Sequence, residues 1–99
     1  MHNRYLNMLG LALRAGKVSL GEETIVKDIQ QRKAKLVIIA NDTGRQTMKK
    51  LTDKCTYYNI PWKIAGNRDE LSGAIGKSGR VAIAILDDGF ARKIESMLE

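Results

Sequence analysis

Apolar residues recur at intervals of three and four along much of the chain, which is the spacing of one face of an α-helix. Leu6, Leu9 and Leu13 show this spacing first, and Gly16 follows them as a stop signal. Followed along the whole chain, the pattern predicts helices at residues 3–14, 24–32, 45–58, 69–75 and 89–98.

Apolar runs of a different kind separate these helices. Residues 36–40 and 81–86 are continuously apolar, as in strands that are covered on both faces, and residues 60–64 alternate in the manner of a strand. Helices and strands therefore alternate with short loops between them. This order predicts an α/β fold, a three-layer α/β/α sandwich around a mixed, largely parallel sheet of about four strands.

The five aromatic residues are not interleaved along a strand, so a surface that stacks successive bases is not expected. Trp62 and Phe90 are expected in the core.

Length and composition fit one folded domain spanning residues 1–99. A chain of 99 residues with 43% hydrophobic and 28% charged residues is too apolar for a disordered tail, and it buries only about 60 to 65% of its unfolded surface. Cys55 is the single cysteine, which supports neither a disulfide framework nor a zinc site. A reducing, cytoplasmic setting is the default expectation, and no apolar run approaches the ~20 residues of a membrane span.

The net charge of +6 is unevenly distributed. Residues 1–50 contain ten Lys or Arg and four Asp or Glu, whereas residues 51–99 contain seven of each. The excess positive charge in the first half indicates either a polyanionic partner or a solvated basic surface. A membrane partner is not expected, because no basic amphipathic helix carries large exposed apolar anchors.

The most informative stretch, residues 14–27, ends one helix, crosses a short apolar step and opens a second helix at Gly21. Glycine has no side chain to hold a ligand away, and the amides of a first helical turn are free to donate. Lys27 lies two turns further along on a polar face. This helix start can therefore contact a phosphate backbone, although Glu23 and Lys27 also have the spacing of a surface ion pair worth about 0.3–0.5 kcal/mol.

Candidate catalytic features have simpler explanations. Residues 73–78 resemble a phosphate-binding loop, but Leu71 stands where the Walker motif needs glycine, and the segment joins a helix to a strand rather than the reverse. This glycine-rich, basic loop either lies against a nucleic-acid backbone or simply turns the chain.

The acidic residues that follow strands are expected to cap helices. Asp42 or Thr43 is expected to cap the helix that follows, and Asp87 and Asp88 suit the start of the last helix. His2 is the only histidine, so a nucleophile–base relay is not expected.

Several segments taken together, in this order, resemble the kink-turn-binding ribosomal protein family, and most closely its short bacterial YlxQ-like branch. The resemblance covers essentially the whole chain. Its segments are residues 9–17, residues 21–27, residues 36–42, Asn59-Ile60-Pro61 and Asp69-Glu70-Leu71 with Gly76.

The resemblance implies a non-enzymatic RNA-binding domain with no catalytic residues, metal or cofactor. The expected partner is a structured RNA, namely a kink-turn with tandem G·A pairs and a sharp bend, in rRNA or an mRNA leader. Neither a membrane nor a small-molecule substrate is expected, and the protein is expected to be a monomer.

The family reads guanine edges through a Gly-x-Asn-Glu-x-x-Lys motif at the start of the second helix. Here Gly21 and Lys27 match the motif, while Glu23 and Thr24 replace Asn and Glu. A carboxylate still accepts from base amino groups, and a hydroxyl donates or accepts.

The second contact region that the family implies is the loop before the last strand, which is basic in this chain. The complete set of expected RNA-binding residues is Arg14, Lys17, Gly21, Glu22, Glu23, Thr24, Lys27, Lys77, Ser78 and Arg80.

Three alternatives remain open at this stage. The chain is an rRNA-binding accessory protein without kink-turn preference, or a protein-interaction module with a basic surface, or an enzyme that uses Asp42 or Asp88.

Overall fold

The computed structural model describes residues 4–98, in which five helices and four strands alternate. His2 and Asn3 lie outside the described residues. The elements are, in chain order, α1 (Arg4–Arg14), β1 (Val18–Leu20), α2 (Glu22–Gln30), β2 (Leu36–Ile39), α3 (Arg45–Tyr57), β3 (Trp62–Ile64), α4 (Arg68–Ile75), β4 (Ala82–Ile85) and α5 (Asp88–Met97).

The three-residue strand β1 is the element that the hydrophobic pattern did not predict. Three residues are too few to display alternation, and β1 is a strand because it pairs with β4, with Val18 opposite Ile85 and Leu20 opposite Ile83. The other elements lie where the pattern predicted them, within about two residues at each end.

The strands form one mixed sheet in the order β1-β4-β2-β3. The expected mixed sheet of four strands is confirmed, but it contains less parallel pairing than expected, since β4 runs antiparallel to both β1 and β2 and only β2 and β3 are parallel. The chain leaves the sheet at the end of β3 and, after α4, enters it again as β4 at the same end of the sheet. At that end α4 begins beside Asp42, whose carboxylate accepts from the Arg68 amide, and β4 begins beside Ala40.

The sheet therefore has two distinct ends. At the Gly21 end, β1 runs into Gly21 and β4 begins after Arg80. At the Lys35 end, Lys17 precedes β1 and Lys35 precedes β2. There the Lys35 amide donates to the Ile85 carbonyl and the Leu86 amide donates to the Lys17 carbonyl.

Alternation along β2 divides the core into two layers. Leu36, Ile38 and Ala40 pack toward α1, α4 and α5, whereas Val37 and Ile39 pack toward α2 and α3. All five residues are fully buried, so the expected strand covered on both faces is confirmed. The α/β/α sandwich follows from this two-sided burial.

Trp62 is exposed, contrary to the expectation that it lies in the core. It is on β3, the edge strand, where Trp62 and Ile64 are 37% and 44% exposed. An edge strand has a neighbour on one side only, so its side chains receive less cover. Phe90 is partly buried against the α1, α4 and α5 layer.

Cys55 is fully buried between α3 and the sheet. Burial raises the pKa of its thiol to about 11, because the thiolate is poorly solvated there. The residue is therefore a small apolar core group without a reactive thiolate at neutral pH.

Ile39 and Ile64 provide a matched test of this packing, because they are register partners on adjacent strands. We expect Ile39→Ala to lower the free energy of unfolding by about 2–5 kcal/mol through loss of buried contacts and formation of a cavity. Ile64→Ala should cost about 1 kcal/mol or less, since that side chain is 44% exposed. Urea denaturation measures both, and equal losses would contradict the exposed position of β3.

Candidate nucleic-acid interface

Gly21 is the single residue that connects β1 to α2. Its backbone has φ 89° and ψ 134°, a conformation that residues with a Cβ rarely adopt. No side chain caps the helix, and within residues 4–98 the amides of Glu22, Glu23 and Thr24 donate no hydrogen bond. The free first-turn amides expected from the sequence are thus present, together with the positive end of the helix dipole.

The loop before β4 has a fixed backbone. Gly76 and Gly79 both have positive φ, 69° and 74°, and bracket the exposed turn that contains Lys77 and Ser78. The Ser72 hydroxyl accepts from the Arg80 amide at 2.9 Å and donates to the Arg80 carbonyl at 3.3 Å. Ser72 on α4 therefore holds the backbone of Arg80 in place.

These two regions, which are more than fifty residues apart in the chain, line one cavity of about 250 Å³. A Cβ built on Gly21 would lie 3.9 Å from Nη1 of Arg80, so the guanidinium is beside the helix start. The Nε of Arg80 is buried and has no hydrogen-bond partner among the described residues. The cavity therefore combines a cation, an unused donor and the free end of a helix, which suits an anionic or carbonyl acceptor.

Glu22 lies at the same cavity but is held by α3. Its carboxylate oxygens accept from Thr47 Oγ1 at 3.0 Å and pair with Lys50 Nζ at 3.0 Å. The hydrogen bond from Lys50, followed by that from Thr47, lowers the pKa of Glu22 below its ordinary value. Glu22 thus attaches α2 to α3, and its negative charge is offset locally.

Glu23, Thr24 and Lys27 are exposed on α2. Among the ion pairs of residues 4–98, none joins Glu23 to Lys27. The surface ion pair considered from the sequence is therefore not formed in this structure. All three side chains face solvent, those of Glu23 and Thr24 in the first turn of α2 and that of Lys27 in its last turn.

Arg14 and Lys17 are exposed, but neither lines the cavity that contains Gly21 and Arg80. Lys17 belongs to the Lys35 end of the sheet and is four residues before Gly21 along β1, roughly 13 Å at the rise of a strand. Arg14, at the end of α1, lines a separate groove with Gly73 and Ala74 of α4.

The acidic residues after the strands have structural partners. The sequence had suggested that Asp42 caps α3. In the structure Asp42 instead stabilises the start of α4, because its carboxylate accepts from the Arg68 amide at 2.9 Å and lies 3.5 Å from Arg68 Nε. Thr43 donates to the Ala40 carbonyl, and Gly44 begins α3 without a side-chain cap. Asp87 caps α5 as expected, accepting from the Phe90 amide at 2.9 Å.

No group of three His, Cys, Asp or Glu side chains within residues 4–98 is arranged to hold a metal ion. In the same part of the chain, every helix is too short or too polar to cross a membrane.

Sequence reasoning missed the residues that position the site. Thr47 and Lys50 hold Glu22 from α3, Ser72 holds Arg80 from α4, and Arg68 engages Asp42. Their sequence separations of 25, 28, 8 and 26 residues leave no local pattern that would identify them.

Residues 4–95 match the Ribosomal protein L7Ae/L30e/S12e/Gadd45 family, and the chain belongs to this family. It is 47% identical over 92 residues to the RNA-binding protein YlxQ of Bacillus subtilis (strain 168), covering 93% of this chain and 92% of that protein. It is 37% identical over 87 residues to the large ribosomal subunit protein eL30 of Yarrowia lipolytica (strain CLIB 122 / E 150), covering 82% and 76%.

A solved structure of a protein with unknown function from Bacillus halodurans C superposes with a TM-score of 0.94 at 46% identity, covering 98% of each chain. The family resemblance identified from the residues, including its YlxQ branch, is confirmed. The relatives above that have functional names are RNA-binding and ribosomal proteins, and neither name describes an enzyme.

The conformation of Gly21 can be tested against that of another glycine. We expect Gly21→Ala to lower the free energy of unfolding by about 1–2 kcal/mol, because its backbone is unfavourable for any residue with a Cβ. Gly73→Ala is the matched control, since Gly73 lies in α4 with open space around it, and this change should raise stability by about 0.5–1 kcal/mol. Urea denaturation gives both values, and two changes of the same sign would count against the geometry of Gly21.

The ion pair of Glu22 should give a pH-dependent contribution to stability. A lowered carboxyl pKa stabilises the fold above the ordinary value of 4.5, and this contribution is lost as the pH falls through the folded pKa. Glu22→Gln should therefore cost about 0.2–1 kcal/mol at pH 7, as for other exposed pairs, and progressively less below about pH 4. Glu23→Gln is the matched control, since it removes a charge from the same helical turn without breaking an ion pair, and it should cost less than Glu22→Gln at pH 7 in the same denaturation series.

Proposed function

We propose that this protein binds structured RNA as a single domain, and that its preferred target is the kink-turn. The observation that carries the proposal is the cavity where the Arg80 guanidinium adjoins Gly21, at the start of a helix whose first-turn amides are free. A sharply bent RNA presents crowded phosphates and base edges at one point, which is the kind of target that a cation and a helix start recognise together.

Family membership adds independent support for RNA as the partner. The relative from Bacillus subtilis is named an RNA-binding protein, and the relative from Yarrowia lipolytica is named a protein of the large ribosomal subunit. We propose rRNA or an mRNA leader as the target of this chain. We also propose that it acts as a cytoplasmic monomer, without a cofactor and without catalysis.

Binding would stabilise the bent RNA by differential affinity. An RNA that exchanges between extended and kinked forms shifts toward the form that the protein binds more tightly. The site acts by neutralising phosphates at the bend, through Arg80 and Lys77 in the loop before β4 and through Lys27 on α2. The backbone of Ser78 and the amides of Glu22, Glu23 and Thr24 supply further donors.

Glu23 and Thr24 are proposed to meet the base edges. Both side chains are exposed on the first turn of α2. A carboxylate accepts from the amino groups of cytosine or guanine, and a hydroxyl donates or accepts. Lys17, at the other end of β1, and Arg14, at the end of α1, are proposed to contact the phosphates of a flanking stem.

The deciding experiment is a calorimetric titration with a kink-turn RNA and with a matched RNA in which Watson–Crick pairs replace the G·A pairs. We expect at least tenfold tighter binding to the kink-turn. Equal binding to both RNAs would overturn the kink-turn preference in favour of general rRNA binding. Absence of binding to either would favour the protein-interaction alternative.

Arg80 should contribute more to this affinity than other surface cations. We expect Arg80→Gln to weaken kink-turn binding by about 10- to 100-fold, as for loss of a charge-assisted hydrogen bond. It should also reduce the slope of log affinity against log salt by about 0.7–0.9, the value for one phosphate contact.

Lys49→Gln is the control, since Lys49 is exposed on α3 and already paired with Asp53 at 2.8 Å. Equal effects of the two variants would show that only net charge matters, and would contradict a specific role for Arg80.

A further inference from the structure

The end of the molecule opposite Gly21 carries a groove that the proposed kink-turn interaction does not use. It is about 440 Å³ in volume and lies between the loops that precede β2 and β3 and the exposed side of α5. Arg32, Lys35, Tyr58, Asp88, Arg92 and Glu95 line it, together with apolar residues. It belongs to the Lys35 end of the sheet, because the Lys35 amide donates to Ile85 at the end of β4.

Some of the basic residues from the first half of the chain lie at this end. Lys17, Arg32, Lys33 and Lys35, four of the ten Lys and Arg in residues 1–50, belong to segments that meet there. The excess charge noted in the sequence is therefore not confined to the Gly21 end. An anion approaching the Lys35 end meets these cations and Arg92 as well.

Arg32 has an unusual backbone for an arginine. Its φ is 58°, in the left-handed region that glycine or asparagine normally occupies after a helix. Its guanidinium carbon lies 6.0 Å from the centre of the Tyr58 ring, within cation–π range. Glycine would fit this backbone conformation with less strain, so the favourable contribution of Arg32 comes from its side chain, which contacts Tyr58.

Tyr57 presents an aromatic ring to solvent beside Tyr58, the residue whose ring Arg32 contacts. Tyr57 is 78% exposed, and its ring meets that of Tyr58 edge to face, with centroids 4.8 Å apart. Tyr58 therefore contacts both Arg32 and Tyr57. An exposed ring that is supported from one side and lies next to a groove lined by cations suits the stacking of an unpaired base.

The acidic residues of the groove are also compatible with a nucleotide as the ligand. Asp88 and Glu95 face the groove with Arg32, Lys35 and Arg92, so its charge is mixed rather than uniformly positive. A nucleotide has a phosphate that requires donors, an aromatic face that stacks, and amino groups that donate to carboxylates. A purely anionic ligand, such as an acidic peptide, would meet repulsion from the two carboxylates.

We propose that this groove, together with the Tyr57 ring that packs against its lining residue Tyr58, binds an unpaired nucleotide of RNA as a second contact surface. The base stacks on Tyr57, and Arg32, Lys35 and Arg92 contact the adjoining phosphates. This surface is separate from the Gly21 cavity and does not depend on a preference for kink-turns. An RNA that has a single-stranded segment next to its folded element would engage both ends of the protein.

The test is a fluorescence-anisotropy titration of the full chain with a ten-nucleotide RNA that has no secondary structure. We expect Tyr57→Ala and Arg32→Gly to weaken binding at least tenfold, and Tyr57→Phe to retain wild-type affinity because the ring remains. Arg32→Gly is informative because glycine fits a φ of 58°, so the variant should unfold at the same urea concentration as wild type or higher.

Two further variants separate this proposal from the previous one. Arg80→Gln and Lys49→Gln should change single-strand affinity by twofold or less, whereas Arg80→Gln should weaken binding to a kink-turn RNA that lacks single-stranded tails. Wild-type affinity in both Tyr57→Ala and Arg32→Gly would overturn the second surface while leaving the kink-turn proposal intact.

Two other results would also overturn the second surface. One is an absence of measurable binding to the ten-nucleotide RNA. The other is a competition in which polyglutamate of equal charge displaces that RNA as effectively as unlabelled RNA does. Such a result would identify a general anion-binding surface.

Discussion

β4 hydrogen-bonds to β1 on one side and to β2 on the other, antiparallel to both, and this pairing determines what can lie at each end of the molecule. Because β4 begins where β1 ends, Arg80 is brought beside Gly21. Because β4 ends where β1 and β2 begin, Lys17 and Lys35 are brought together at the other end. Both surfaces therefore depend on one short, fully buried strand whose residues contact helices on each face of the sheet.

Much of this fold could be predicted from local pattern alone. The periodicity of Leu6, Leu9 and Leu13 and the continuous run of residues 36–40 each reflect burial, which the spacing of apolar residues records directly. The order of strands could not be predicted in this way. It depends on where the chain re-enters the sheet after α4, and the apolar run of β4 is compatible with either direction.

The candidate site was only partly predictable for the same reason. Gly21 and Arg80 could be singled out individually, by helix-start chemistry and by resemblance, but their adjacency is a product of tertiary structure. The exposure of Trp62 also could not be predicted, since its alternating segment is the same whether the strand is central or at the edge. Lys17 is near Gly21 in sequence, and it is the extended backbone of β1 that separates the two.

The pairing of acidic residues makes the Gly21 end more favourable for phosphates than its composition suggests. Glu22 pairs with Lys50 at 3.0 Å, and Asp42 lies 3.5 Å from Arg68, so these two carboxylates each have a cation close to them, whereas Glu23 forms no ion pair within residues 4–98. Neither Lys50 nor Arg68 belongs to α2, the helix that begins after Gly21. The supporting helices therefore compensate for acidic residues that would otherwise repel a polyanion.

The buried Nε of Arg80 has a consequence for how stability and affinity are related in this protein. A buried donor without an acceptor costs about 1–3 kcal/mol in the isolated fold, and a ligand that supplies the acceptor removes that cost. An apolar residue of similar size at this position would remove that cost from the free protein, and it would also remove the donor that the proposed RNA site uses. At Arg80, therefore, the stability of the fold and the proposed affinity are expected to change in opposite directions.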